Sequence, residues 1–140
     1  MRVKDIMTRI VLTISPDGSV EDAARMMKRN AVGFLPVEDN NREVRGVITD
    51  RDITVRLVAE GLNPKETRVR QVMTAQTVYC FQDEDLEDAC LRMADTGLRR
   101  ILVYDRRHDL AGVLSLDDVA VKTYKEKLAG HILRKVAKTA

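Results

Sequence analysis

A hydroxyl residue stands three positions before an aspartate at two places in the chain, as Thr49 with Asp52 and as Ser115 with Asp118. This spacing is typical of a helix capping box, in which hydroxyl and carboxylate each accept a hydrogen bond from a backbone amide. At a strand end that faces a cleft, the same carboxylate can accept both hydroxyls of a ligand diol, and the helix N-terminus favours a phosphate. Spacing alone favours the cap, and the two interpretations are compatible.

Other residue types that support catalysis or metal binding occur without the partners they need. Cys80 and Cys90 fit no C-x-x-C spacing, so we expect buried structural thiols. His108 stands in a predicted polar turn and His131 lies near the C-terminus, far from each other in sequence. We find no nucleophile–base pair, P-loop or metal-ligand spacing. The sequence therefore predicts neither catalysis nor a metal site.

Composition indicates a soluble, folded chain with a core made of aliphatic residues. Apolar residues make up 44% of the 140 residues, charged residues 33% and aromatic residues 4%. The formal net charge of +2 is far from the basic footprint of a dedicated nucleic-acid binder, and the basic residues cluster in the C-terminal tail. We find no apolar run that could span a membrane and no secretory signal pattern, so we expect a cytoplasmic protein.

The sequence is duplicated. Met7-Thr8 recurs 66 positions later as Met73-Thr74, and the same offset places Asp52 on Asp118. The register holds without a gap from residue 3 to residue 55. Because a chance match would not keep one register for so long, the chain must contain two copies of one structural unit.

Each copy predicts elements in the order β-α-β-β-α. The predicted strands are 11–14, 34–37 and 43–49 in the first copy, and 77–81, 100–104 and 110–115 in the second. A helix with one apolar face opens at Ser19, and a second helix starts near Asp50 and ends at Gly61. The last helix starts near Leu116 and is expected to break at Gly130, before a short basic helix.

These elements predict an α+β fold of two tandem repeats. We place the repeats at 1–60 and 69–122, with a linker at 61–68 and a basic helical tail at 123–140. Neither repeat can bury both faces of so small a sheet alone. We therefore expect the repeats to pack sheet to sheet with pseudo-two-fold symmetry.

In this order the motifs resemble the CBS domain family, over about residues 2–122. They are Ile6-Met7-Thr8, Gly33-Phe34-Leu35-Pro36-Val37 and Gly46-Val47-Ile48-Thr49-Asp50-Arg51-Asp52-Ile53, followed by Val72-Met73-Thr74, Arg100-Ile101-Leu102-Val103-Tyr104-Asp105 and Gly112-Val113-Leu114-Ser115-Leu116-Asp117-Asp118-Val119. The resemblance implies a stand-alone CBS pair of bacterial type, or Bateman module, that is regulatory rather than catalytic. It implies that the module senses the energy state by binding AMP, ADP or ATP in up to two clefts between the repeats. NAD and S-adenosylmethionine are further candidate ligands.

The resemblance also assigns the ligand contacts. Ribose and phosphate contacts fall on Thr49, Asp52, Ser115, Asp118, Arg99 and Arg100. Base-pocket residues come from the segment after Met-Thr of the opposite repeat, with Met7, Thr8 and Leu12 for the second cleft and Met73, Thr74 and Val78 for the first. Strand residues that could flank a purine, with core packing as the alternative, are Phe34, Val47, Ile48, Val113 and Leu114. In this frame we favour ligand contact at both aspartates, in addition to capping.

The two copies differ beside the second strand, where Arg99-Arg100 stands in place of Gly33-Phe34. Neighbouring strand residues point to opposite faces, so at most one arginine enters the cleft. A guanidinium suits a phosphate, and the second cleft is therefore expected to favour a phosphorylated ligand. The alternative is a pair of solvated arginines.

Two other functions fit the sequence. One is a dimerisation or adaptor protein that acts through a regulated protein partner, with clefts that are empty or filled by Phe34 and Arg51. The other is nucleic-acid binding through the basic tail, against which the net charge argues. We also expect a homodimer, because apolar helix residues need cover. These residues are Ile53, Leu57, Val58, Val119, Val121 and Leu128.

Overall fold

The computed structural model describes residues 1–9 and 12–139 and has the α+β fold that the sequence predicts. After a 3₁₀ turn at Val3–Asp5, the elements are β1 (Thr8–Arg9), α1 (Val20–Asn30), β2 (Phe34–Glu38), β3 (Val44–Thr49), α2 (Asp50–Ile53, with a π-helical continuation at Thr54–Val58), α3 (Val69–Val72), β4 (Tyr79–Phe81), α4 (Leu86–Thr96), β5 (Arg100–Tyr104), β6 (Leu110–Ser115), α5 (Leu116–Lys122) and α6 (Glu126–Thr139). The first strand expected at 11–14 begins at Val11, which lies outside the described residues.

The chain divides into two compact units that do not coincide with the two sequence repeats. Residues 1–9 and 78–139 form one unit, and residues 12–77 form the other. Each unit therefore joins the body of one repeat to the short Met-Thr segment that begins the other. The expected linker also differs from a free connection, because the carbonyls of Pro64 and Thr67 accept the amides of Glu21 and Val20 at the start of α1.

The unit of residues 12–77 is built around the antiparallel hairpin of β2 and β3. Phe34 pairs with Thr49 at one end of the hairpin, and a bulge interrupts the register near Glu38. Thr74 bridges β3 in antiparallel fashion on one side of the hairpin, and Ile14 bridges β2 in parallel on the other. α1 covers one face, capped by the hydroxyl of Ser19. The buried core is aliphatic, as composition predicts: Ile14, Val20, Ala23, Met27, Leu35, Val37, Ile48, Leu57, Val69 and Val72.

The unit of residues 1–9 and 78–139 repeats this plan with a four-stranded sheet in place of the two-stranded hairpin. Its sheet has the order β1-β6-β5-β4, in which β1 and β6 pair antiparallel and β4 and β5 pair parallel. The N-terminal segment is part of the core, since Val3, Ile6 and Met7 are buried. The carbonyl of Met1 accepts the amide of Leu86 at the start of α4.

Two glycines permit the close approach of the Met-Thr segments. A Cβ atom on Gly112 would lie 2.5 Å from the carbonyl oxygen of Thr8, and a Cβ atom on Gly46 would lie 2.4 Å from that of Thr74. Side chains do not approach a backbone oxygen this closely without a shift of the chain. The glycines that begin the Gly-Val motif therefore allow β1 and the Thr74 bridge to dock.

The C-terminal region corrects one expectation. We predicted that the last helix continues to about residue 129 and breaks at Gly130, and both points are wrong. α5 ends at Lys122, because Thr123 is extended and its hydroxyl both donates to the Val119 carbonyl and accepts the Lys125 amide. α6 then passes through Gly130, since burial of its apolar side chains, Ile132 among them, outweighs the low helix propensity of one glycine.

Replacement of Gly112 and replacement of Gly130 by alanine have opposite expected effects on stability. Gly112→Ala should lower the free energy of unfolding by about 1–3 kcal/mol, because the methyl group collides with the Thr8 backbone. Gly130→Ala, the matched control, should raise it by about 1 kcal/mol or less, because the added Cβ meets no described atom within 4 Å beyond its chain neighbours and its own helix backbone. Urea denaturation measures both. Equal effects of the two variants would contradict the close approach at Gly112.

Candidate functional site

The Asp118 site consists of Thr8, Ser115, Asp118 and Lys122, and it forms within the unit of residues 1–9 and 78–139. The Ser115 hydroxyl accepts the Asp118 amide at 3.0 Å, and the Asp118 carboxylate accepts the Ser115 amide at 3.2 Å. The predicted capping box is therefore present at the start of α5. It fixes both the serine and the aspartate where β6 ends and the helix begins.

Two further groups contact the Asp118 carboxylate. Thr8, held by its pairing with Val113, donates its hydroxyl to Oδ1 at 3.0 Å. The Lys122 ammonium lies 2.8 Å from the same oxygen. Asp118 is only 7% exposed, and a buried carboxylate is costly without hydrogen bonds or an ion pair. These partners meet that requirement.

The Asp52 site is the equivalent arrangement of Thr49, Asp52 and Thr74 in the unit of residues 12–77. The Thr49 hydroxyl accepts the Asp52 amide at 3.1 Å, and the Asp52 carboxylate accepts the Thr49 amide at 3.0 Å. The Thr74 hydroxyl donates to Oδ1 of Asp52 at 3.2 Å. Asp52 is 8% exposed. Thus each aspartate is held by a threonine from the Met-Thr segment of the opposite sequence repeat.

The strand register decides which residue of the Arg99-Arg100 pair lies beside the site. Arg100 pairs with Ser115, and Phe34 pairs with Thr49. Directly paired residues of antiparallel strands share a face of the sheet. Arg100 and Phe34 are therefore the neighbours of the two capping hydroxyls, whereas Arg99 precedes β5 and its carbonyl accepts the Leu116 amide.

The apolar strand residues expected to contact the adenine base divide into two groups. Val47 and Val113 pair with Thr74 and Thr8 and share a sheet face with the capping hydroxyls, because side chains alternate along a strand. Ile48 and Leu114, one position further on, are fully buried in the two cores. The structure therefore places only the two valines on the side of the sites.

The apolar residues in and after the two Met-Thr motifs belong to different cores. Met7 is buried in the core of the unit that contains the Asp118 site, and Met73 packs against the core of the unit that contains the Asp52 site. Leu12 packs against the same core as Met73, and Val78 against the same core as Met7. Leu12 and Val78 thus belong to the units opposite to those that the resemblance assigned to them.

Sequence reasoning missed Lys122 as a site residue. Its signal was present, because Lys122 stands four positions after Asp118, where side chains on a helix meet. The tail cation Lys125 forms an ion pair with Glu87 at 2.8 Å, and this contact raises the pKa of Lys125.

The cysteines are buried and free, as expected. Burial raises the pKa of the Cys80 thiol to about 12 and that of Cys90 to about 11. The nucleophilic and metal-binding form of cysteine is the thiolate, which neither residue forms near neutral pH. His108 packs against Tyr79, Phe81 and Tyr104 in an aromatic cluster at the β4 edge.

Among residues 1–9 and 12–139, no three histidine, cysteine or acidic side chains are grouped so that they could hold a metal ion. Within the same part of the chain, no helix has the length and apolar character needed to cross a membrane.

Comparison with known proteins gives consistent matches. The family model for the CBS domain matches residues 3–59 and again residues 69–122. The CBS domain-containing protein YhcV of Bacillus subtilis is 36% identical over 135 residues, which cover 96% of this chain and 94% of that protein.

Solved structures show the same fold. A conserved CBS domain protein of unknown function from Thermoplasma acidophilum, TA0289, superposes with a TM-score of 0.84 at 27% identity, over 96% of this chain and 75% of that one. The CBS domain pair of protein MJ0100, in complex with 5′-methylthioadenosine and S-adenosyl-L-methionine, gives a TM-score of 0.75 over 86% of this chain and 93% of that one. Its identity is 22%, so this likeness concerns the fold alone.

Proposed function

Because this chain belongs to the CBS domain family, we propose that it is a non-catalytic regulatory module that binds an adenosyl ligand, foremost AMP, ADP or ATP, through the Asp52 and Asp118 sites. One observation carries the proposal. In each unit, a nearly buried aspartate at a strand–helix junction is fixed by a capping amide and by a threonine hydroxyl.

This arrangement suits the ribose of a nucleoside. A carboxylate is an acceptor with about four lone-pair positions, and a cis-diol presents two donors at a matching separation. Because capping already fixes Asp52 and Asp118, little side-chain freedom is lost when a ligand binds. NAD and S-adenosylmethionine carry the same ribose and are the further candidates.

The charge beside the two sites favours different ligands. Arg100 and Lys122 give the Asp118 site positive groups that a phosphate attracts, and an arginine fork suits phosphate oxygens. Phe34 occupies the position of Arg100 in the Asp52 site and offers an aromatic ring instead. We propose that the phosphorylated ligand prefers the Asp118 site.

The adenine base would rest on apolar side chains next to the threonines. Val113 and Val47 pair with Thr8 and Thr74 and lie closest in register to the sites. Met7 and Met73 directly precede these threonines and pack toward the cores. Leu12 and Val78 are assigned to the base pocket by the family resemblance. Base contacts of this kind constrain the ligand through shape rather than charge.

Isothermal titration calorimetry of AMP tests the ribose contact. Asp118→Asn should weaken AMP binding by at least about tenfold, about 1.4 kcal/mol, because the amide offers one acceptor where the carboxylate offers two. Asp52→Asn should weaken AMP less. The matched control is Asp22→Asn, because Asp22 follows Ser19 at the same spacing and its amide is capped in the same way at an exposed helix start. This control should leave AMP binding unchanged.

Two outcomes would contradict the assignment. Equal AMP affinity of the wild type and of Asp118→Asn would limit Asp118 to capping. No binding of AMP, ADP, ATP, NAD or S-adenosylmethionine at millimolar concentration would favour the adaptor function, in which the protein acts on a partner without a ligand.

We also propose a homodimer, whose contact surface differs in part from the residues that the sequence predicts. Leu57 and Val119, expected on the dimer surface, are buried in the two cores. They face inward because each lies on the side of its helix that packs against the sheet. Val58 and Val121 are 65% and 82% exposed, and Tyr124 near Val121 is fully exposed. Apolar helix surface of this kind is commonly covered by a symmetric contact.

Light scattering tests the dimer. The wild type should show twice the mass of the chain at micromolar concentration. Val58→Glu combined with Val121→Glu should shift it to the monomer, since each adds a charge to a buried apolar contact. Leu91 is an exposed leucine on α4, and Leu91→Glu is the control that should leave the mass unchanged. A monomeric wild type, or dissociation by Leu91→Glu alone, would contradict the proposal.

A further inference from the structure

The two sites differ in one ion pair. Lys122 lies one helical turn after Asp118, 2.8 Å from its Oδ1 atom, and also donates to the Ile6 carbonyl at 3.1 Å. The Lys122 side chain is partly exposed, so it has room to move, whereas Asp118 does not. The ion pair therefore joins a partly exposed lysine side chain to a nearly buried carboxylate.

The equivalent residue of the other repeat, Arg56, makes different contacts. Its guanidinium donates to the carbonyls of Val72 and Met73, at 3.2 and 2.8 Å, where α3 ends. In the part of the chain that the structure describes, no cation lies within 4.0 Å of the Asp52 carboxylate. The wider π-helical winding at Thr54–Val58 and the longer arginine side chain together direct this charge away from the site.

The consequence concerns the lone pairs that remain for a ligand. Oδ1 of Asp118 accepts both the Thr8 hydroxyl and the Lys122 ammonium, while Oδ2 accepts the Ser115 amide. Among the described residues, the only group that donates to Oδ1 of Asp52 is the Thr74 hydroxyl, which also lies 3.4 Å from Oδ2. A carboxylate oxygen has about two good acceptor positions. A ribose diol therefore finds a vacant position on Asp52, but must displace an ammonium at Asp118.

We infer that Lys122 is a specificity-determining residue that makes the two sites sort ligands by charge. This inference rests on the proposed function and names the ligand class of each site. The Asp52 site takes a neutral nucleoside, because its carboxylate is free of a competing cation. The Asp118 site takes a nucleoside phosphate, because the phosphate offers Lys122 another anionic partner and releases the carboxylate for the ribose.

Calorimetry with adenosine and AMP on full-length variants tests the sorting. In an Asp52→Asn background, which leaves only the Asp118 carboxylate, Lys122→Met should strengthen adenosine binding by about threefold or more and weaken AMP binding. The preference for AMP over adenosine should then shrink by about tenfold. Arg56→Met in the same background is the matched control and should leave the preference unchanged. An unchanged preference in the Lys122→Met variant would overturn the inference.

A ligand-free measurement separates this inference from the proposed function. In a double-mutant cycle on unfolding, Lys122→Met and Asp118→Asn should be non-additive by about threefold in the unfolding equilibrium constant, whereas Arg56→Met and Asp52→Asn should be additive. Ligand binding without coupling of Lys122 to Asp118 would overturn the role of Lys122 alone. Coupling without adenosine or AMP binding by the wild type would contradict the proposed function, and the sorting with it.

Discussion

Docking of a Met-Thr segment against a glycine of the partner repeat is the contact on which both sites depend. Thr8 pairs with Val113, and Thr74 bridges Val47, in each case next to a glycine that leaves space for the threonine carbonyl. This pairing places a hydroxyl on the aspartate that caps the next helix. Without it, each aspartate would lose one of the few donors that make its burial tolerable. The fold of each unit and its candidate site therefore rest on the same backbone contact.

Duplication made the two sites alike, and small substitutions then made them unequal. The capping boxes, the threonine donors and the glycines are retained in both copies. The differences are the charge beside the capping hydroxyl, Phe34 or Arg100, and the reach of the basic residue one turn along the helix. Under the proposed function, two sites with equivalent aspartates and different charge would respond to the ratio of two related ligands rather than to one concentration.

Much of the fold could be predicted from the sequence, because its signals are local. The 66-residue offset, the helical spacing after Ser19 and the capping boxes at Thr49 and Ser115 are all present in the structure. The exchange of the short Met-Thr segments could not be derived from periodicity, since β1 has only two residues. The break expected at Gly130 failed because tertiary burial of Ile132 overrides one weak helix former. The contrast between Lys122 and Arg56 could not be predicted from the sequence either, because both residues are basic and only their contacts differ.

A crystal structure of the protein grown with AMP tests the central claim most directly. We expect both ribose hydroxyls of the nucleotide at hydrogen-bond distance, about 2.6–2.8 Å, from the carboxylate oxygens of Asp118 or Asp52. The phosphate should lie toward Arg100 when Asp118 is the acceptor. A nucleotide whose ribose contacts neither aspartate, with both carboxylates engaged only by their capping amides and threonine hydroxyls, would contradict the account.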